Sequence, residues 1–143
     1  MNRGHRLRGS RGFVAVRAWR ASGMSGPLRV HAGRNPVAVA RVGFSIPRSQ
    51  GSAVVRNRLR RRLRALLQPQ LQQLAGIDLV VVAAPGAAAA TSAELGLHLA
   101  RSLEAAVARL RCAGDEAPAA TASGARAAVA AHNGLTTAGP PAP

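Results

Sequence analysis

Hydrophobic positions along the chain change period several times, and each period names an element. Over residues 10–20, Phe13, Val16 and Trp19 recur at helical spacing among arginines, which predicts a short basic helix. Residues 22–27, with Gly23, Gly26 and Pro27, read as a turn. Leu28, Val30 and Ala32 then alternate as a half-buried strand would, and residues 33–36 read as a hairpin turn. A second alternating run over residues 37–46 has Val42, Phe44 and Ile46 on one side and is closed by Pro47. Residues 77–84 are β-branched and almost wholly apolar, the pattern of a strand buried on both faces. Thr91 and Glu94 make a capping box before a last helix, whose stripe is Leu95, Leu99, Leu103, Ala106, Val107 and Leu110.

The segment between those strands is the most informative. At about 100° per residue, Val55, Leu59, Leu63, Leu66 and Leu67 fall in one stripe of about 120°. Ser52 suits the N-cap. The opposite side collects Asn57, Arg60, Arg61 and Arg64, with Arg58 on its flank, and Arg62 sits at the stripe's edge with a stem that must snorkel. The pattern predicts an amphipathic helix with a cationic outer face, loosening near Pro69 and ended by Gly76. The element order is helix, strands, basic helix, strand, helix, which is an α/β sandwich with one sheet and helices packed on it.

Charge sharpens this picture. The chain of 143 residues carries 20 basic against 5 acidic residues, a formal net charge of +15, and every basic residue is arginine. Arginine's planar fork suits phosphate oxygens, although a GC-rich genome would also favour it. Asp78 is the first acidic residue, so residues 1–77 hold sixteen arginines and no carboxylate. Such asymmetry implies a polyanionic partner, either nucleic acid or an anionic surface. No segment approaches the roughly 20 apolar residues that span a bilayer, so no membrane partner is expected. Arg17 and Arg20 interrupt the one short apolar stretch near the N-terminus, which argues against a secretory signal; the arginine-rich, acid-free start has a slight transit-peptide character. Cys112 is alone, and His5, His31, His98 and His132 lack ligand spacing, so a reducing cytoplasm is the expected compartment. Beyond Arg111 the chain turns to Ala, Gly, Thr and Pro, which divides it into a folded domain at 1–111 and a disordered, low-complexity tail at 112–143.

Catalytic groups are scarce. The acids are Asp78, Glu94, Glu104, Asp115 and Glu116, and no pair is spaced to hold metal ions on the basic face. If the chain takes part in a reaction on RNA, another component supplies the chemistry. What remains is backbone binding, with Arg60, Arg61 and Arg64 spaced to reach neighbouring phosphates. The same helix read alone also fits a solvated face or a DNA major groove. Phe13, Trp19 and Phe44 could stack bases or pack the core.

At residues 53–64, Ala-Val-Val-Arg-Asn-Arg-Leu-Arg-Arg-Arg-Leu-Arg, the chain closely resembles the arginine-asparagine-arginine motif of bacterial ribonuclease P proteins. Residues 41–46 with Arg48, residues 78–83, and Arg6-Leu7-Arg8 followed by Phe13 resemble other parts of that family, so the likeness covers about 6–111. It implies an α+β fold with a single central mixed sheet of about four strands, and an unusual left-handed crossover at the basic helix. It implies that Arg56, Asn57, Arg58, Arg60, Arg61 and Arg64 contact the catalytic RNA subunit. It also implies a cleft between the first helix and the sheet for the single-stranded 5′ leader of precursor tRNA. Phe13 and Arg48 match that cleft; Arg17 with Trp19 nearby, and His31, stand where the family carries further aromatics. Gly12 and Ser52 depart from the family's acidic and asparagine positions. The implied activity is Mg²⁺-dependent removal of the leader, with Mg²⁺ carried by the RNA, none bound by the protein alone, and one protein per RNA. A ribosome-associated RNA-binding protein without processing activity is the alternative, and a DNA-binding regulator a weaker third.

Overall fold

A computed structural model gives the fold and describes residues 3–116 and 118. Helix α1 (Gly9–Ala18) leads into strands β1 (Ala21–Ser25), β2 (Leu28–Arg34) and β3 (Arg41–Ser45), then helix α2 (Ala53–Leu67), strand β4 (Ile77–Ala83) and helix α3 (Ser92–Cys112). The strands form one mixed sheet in the order β1-β2-β4-β3. β4 runs antiparallel to β2 and parallel to β3, with Val80 opposite His31 on one side and Gly43 on the other.

β4 takes the inner position because its side chains are apolar on both faces. Leu79 and Val81 join the larger core beneath α2 and α3, with Leu28, Val30, Leu59, Leu63, Leu95 and Leu99. Val80 and Val82 point to the other face, where Leu7, Phe13 and Val16 meet them. The molecule therefore has three layers, with α1 alone on one side of the sheet and α2 and α3 on the other.

Two expectations are corrected. Residues 22–27 are not a turn: Ala21–Ser25 is a strand, and only the bend at Gly26 and Pro27 turns the chain. Ser22, Gly23 and Ser25 carry little β-propensity, but backbone pairing with β2 and close packing under α3 override it. A methyl group on Gly23 would overlap the Ser102 carbonyl and the Ala105 side chain, so the small residue lets α3 sit against the backbone. Nor do the second and third strands form a hairpin through residues 33–36. β2 continues to Arg34, β4 lies between it and β3, and the third strand is confined to Arg41–Ser45.

The helix ends follow their sequence signals. Ser52 Oγ accepts from the Val55 amide at 3.3 Å, and α2 passes after Leu67 into a 3-10 turn, Gln68–Leu74, that contains Pro69. Thr91 and Glu94 exchange both capping-box bonds. α3 reaches Cys112, and Arg34 bonds the Gly114 carbonyl and pairs with Asp115 at 3.0 Å. Apart from these first residues, the low-complexity tail expected at 112–143 lies outside the described residues, save Pro118.

Candidate nucleic-acid interface

α2 is polar on its outer side because its leucines are spent inward. Leu59, Leu63 and Leu67 are buried, whereas Asn57, Arg58 and Arg61 are exposed. The Asn57 carbonyl oxygen accepts from Arg60 Nη1 at 2.9 Å, which splays Arg60 along the helix. Arg56 Nε reaches back to the Gly51 carbonyl at 3.3 Å. Arg62 turns away from this group: its Nη2 bonds the Ala90 carbonyl at 2.6 Å, and its Nε bonds Ser92 Oγ, tying α2 to the start of α3.

Arg64 is only partly solvated, where the helical period assigned it a fully solvated place. Its guanidinium carbon lies 5.8 Å from the centroid of the Phe44 ring, within the range of cation–π attraction. Its Nε is sealed from water and has no hydrogen-bond partner. Burial, then the neighbouring charges of Arg6 and Arg60, lower its pKa below the usual arginine value. The period could not show this, because β3 brings Phe44 under the flank of α2 only in three dimensions.

No carboxylate balances this surface. Among the described residues, Asp78 is buried and held by Arg41 at 2.8 and 2.6 Å and by Asn35 at 2.6 Å. Glu94 caps α3, Asp115 pairs with Arg34, and Glu104 and Glu116 are exposed on and just beyond α3. No described group of His, Cys, Asp and Glu could hold a metal ion. No described helix is long and apolar enough to cross a membrane.

The opposite face of the sheet carries the second candidate surface. Phe13 lies over Gly43, where any Cβ would overlap the ring. Arg17 follows Phe13 by one turn and sits near His31, a half-buried residue in the middle of β2. Burial, then Arg17 and Arg29, push the His31 pKa down to about 4. The imidazole is therefore neutral at physiological pH, a flat polar group between two fixed cations. Trp19 stands beside this group, its half-buried indole against Gly33, two residues along β2 from His31, and it also packs on the larger core. Arg48 is exposed in the short turn after β3.

A family model described as Ribonuclease P matches residues 1–109 of this sequence. The chain belongs to the ribonuclease P protein family. The ribonuclease P protein component of a Nocardioides species is 44% identical over 104 residues, which span 69% of this chain and 88% of that protein. The Streptomyces griseus ribonuclease P protein component is 40% identical over 116 residues, covering 74% of this chain and 91% of the relative. In fold, the chain resembles the ribonuclease P protein of Staphylococcus aureus. The TM-score is 0.62 at 21% identity, over 74% of this chain and 96% of that one. Membership in the ribonuclease P family makes this a component of a ribonucleoprotein that acts in tRNA processing, with the ribonuclease P RNA as its partner.

Three residues that bear on these surfaces were not singled out as site residues. Arg6 stands beside Arg64 because a short bridge pairs it with Val42, a long-range contact with no local signal. Arg29 flanks His31 and faces outward from β2, as its place between Leu28 and Val30 could have indicated. Gln50 is buried and bonds both the Ala84 carbonyl at 2.5 Å and the Ala88 amide at 3.2 Å, which anchors the start of α2.

Proposed function

We propose that the chain is the accessory protein of ribonuclease P, binding the catalytic RNA through α2 and the 5′ leader of precursor tRNA across the α1 face of the sheet. The observation that carries this reading is the arginine face of α2, unopposed by any carboxylate, in a chain whose family is ribonuclease P. Arg56, Asn57, Arg58, Arg60, Arg61 and Arg64 contact RNA phosphates. Phe13, Arg17, His31 and Arg48 line the path of the leader, with Phe13 and His31 offering flat surfaces for bases. Trp19, half-buried with its indole against Gly33, borders the same path.

The RNA carries the Mg²⁺ and the hydrolytic chemistry. The protein's work is electrostatic: cations spread along two faces let leader and catalytic RNA approach each other despite their like charge. One protein per RNA and a cytoplasmic setting complete the reading. The test is cleavage of precursor tRNA by the chain's own ribonuclease P RNA at low Mg²⁺. The intact protein should restore cleavage, and Arg60→Ala/Arg61→Ala/Arg64→Ala should not, although it remains folded. Full activity of the folded triple variant would overturn the assignment. Strong RNA binding without any stimulation of cleavage would favour a ribosome-associated role instead.

A further inference from the structure

Arg6, Arg60 and Arg64 converge from different parts of the chain on the seam between β3 and α2. Residues 6 and 7 run beside β3, paired through the Arg6–Val42 bridge and the Leu7 amide, which bonds the Val42 carbonyl at 3.0 Å. Arg60 is held along α2 by its 2.9 Å bond to Asn57. Arg64 is laid on the Phe44 ring. Like charges gathered this way repel, and each placement is fixed by backbone pairing, a hydrogen bond or a ring contact rather than by a counter-ion. No acidic residue among those described serves the cluster.

The geometry points to a single-phosphate niche, in which Arg6, Arg60 and Arg64 together grip one phosphodiester of an RNA while Phe44 positions the Arg64 guanidinium. Two deficits of the free protein define the ligand. The cluster lacks negative charge, and Arg64 Nε lacks an acceptor. A phosphodiester supplies both: one negative charge among three cations, and two non-bridging oxygens spaced for a guanidinium edge. The exposed end of the Arg64 guanidinium reaches the anion as it stands, and a small tilt off the ring opens Nε as well. Phe44 touches no ligand; it is a positioning residue that holds the planar group edge-outward. The niche rests on the reading of α2 as an RNA-binding face. It adds to that reading by joining the N-terminal segment to the helix and by singling out one anchoring phosphate among general charge contacts.

The test uses the full chain with ¹⁵N-labelled arginine and dimethyl phosphate as probe, titrated against chloride at matched ionic strength. The Arg64 Nε–H resonance should shift saturably with dimethyl phosphate and not with chloride. Arg6→Gln and Arg60→Gln should each raise the half-saturation concentration at least threefold, and Phe44→Leu should raise it with all three arginines still present. In RNA binding, Arg6→Gln should lower affinity while reducing the slope of log affinity against log salt by less than one phosphate's worth, roughly 0.7–0.9 units, because Arg60 and Arg64 still hold the same phosphate. Absence of a saturable Arg64 shift, or an Arg6→Gln variant that binds RNA with unchanged affinity, overturns the niche. If Arg6→Gln and Arg64→Gln are silent while Arg61→Gln weakens RNA binding, the niche falls and the α2 reading stands. If none of the four arginine substitutions changes RNA affinity, both fall.

Discussion

Gly43 shows how one missing methyl group can set a surface. The Phe13 ring occupies the space that any Cβ there would need, so Gly43→Ala must displace that ring. The expected cost is about 1–3 kcal/mol, as for other overpacked sites, read as a lowered urea midpoint, and leader binding should weaken because Phe13 moves. His31 makes a different statement about the same face. Its pKa falls from 6.5 to about 4 on folding, so between those values the unfolded chain binds the extra proton. Its contribution is therefore complete above about pH 6.5 and lost as pH falls toward 4. Thermal unfolding from pH 7 to 4 should fall more steeply for the intact protein than for His31→Gln; parallel curves would show that His31 is not desolvated. At this scale the sequence was least readable. The residue types on α2 were plain, but the partner of Arg64 was not, because Phe44 lies twenty positions away and reaches it only through the fold.

Elements with strong periods were legible in advance. α2 and α3 each combine a clean apolar pattern with a terminal signal, Ser52 or Thr91 with Glu94, and β4 is plain from its unbroken apolar run. β1 was not, because Ser22-Gly23-Met24-Ser25 has no β-branched residue and owes its form to β2 and α3. The supposed hairpin between β2 and β3 failed for a reason the sequence did contain. A strand apolar on both faces belongs inside a sheet, and with β3 and β2 as neighbours β4 fills the gap between them. The two sides of α2 should separate in experiment. Leu63 is fully buried, and Leu63→Ala should cost ~2–5 kcal/mol of stability. Arg58 and Arg61 are exposed on a helix that alanine favours. Replacing both should leave the melting temperature nearly unchanged while lowering RNA affinity, and a large drop in melting temperature would show that they stabilise the fold.

Over the whole molecule the charge is unevenly placed, with sixteen arginines and no acid before Asp78. Binding to the ribonuclease P RNA should therefore weaken by several logarithmic units per tenfold rise in salt, at roughly 0.7–0.9 per phosphate neutralised. A shallow dependence would mean that few of these arginines reach phosphates. The short bridge of Arg6 to Val42 has a consequence of another kind. β3 is an outer strand, and an uncovered strand border is a template on which a second chain can grow. The N-terminal residues mask part of that border and plug it with Leu7, which packs on Val16 and Val80. Removing residues 1–8 should thus do more than strip three arginines. Light scattering of the shortened protein should climb with concentration while that of the intact chain stays flat, because the same few residues that hold Arg6 beside Arg64 also keep the molecule from polymerising through its own sheet.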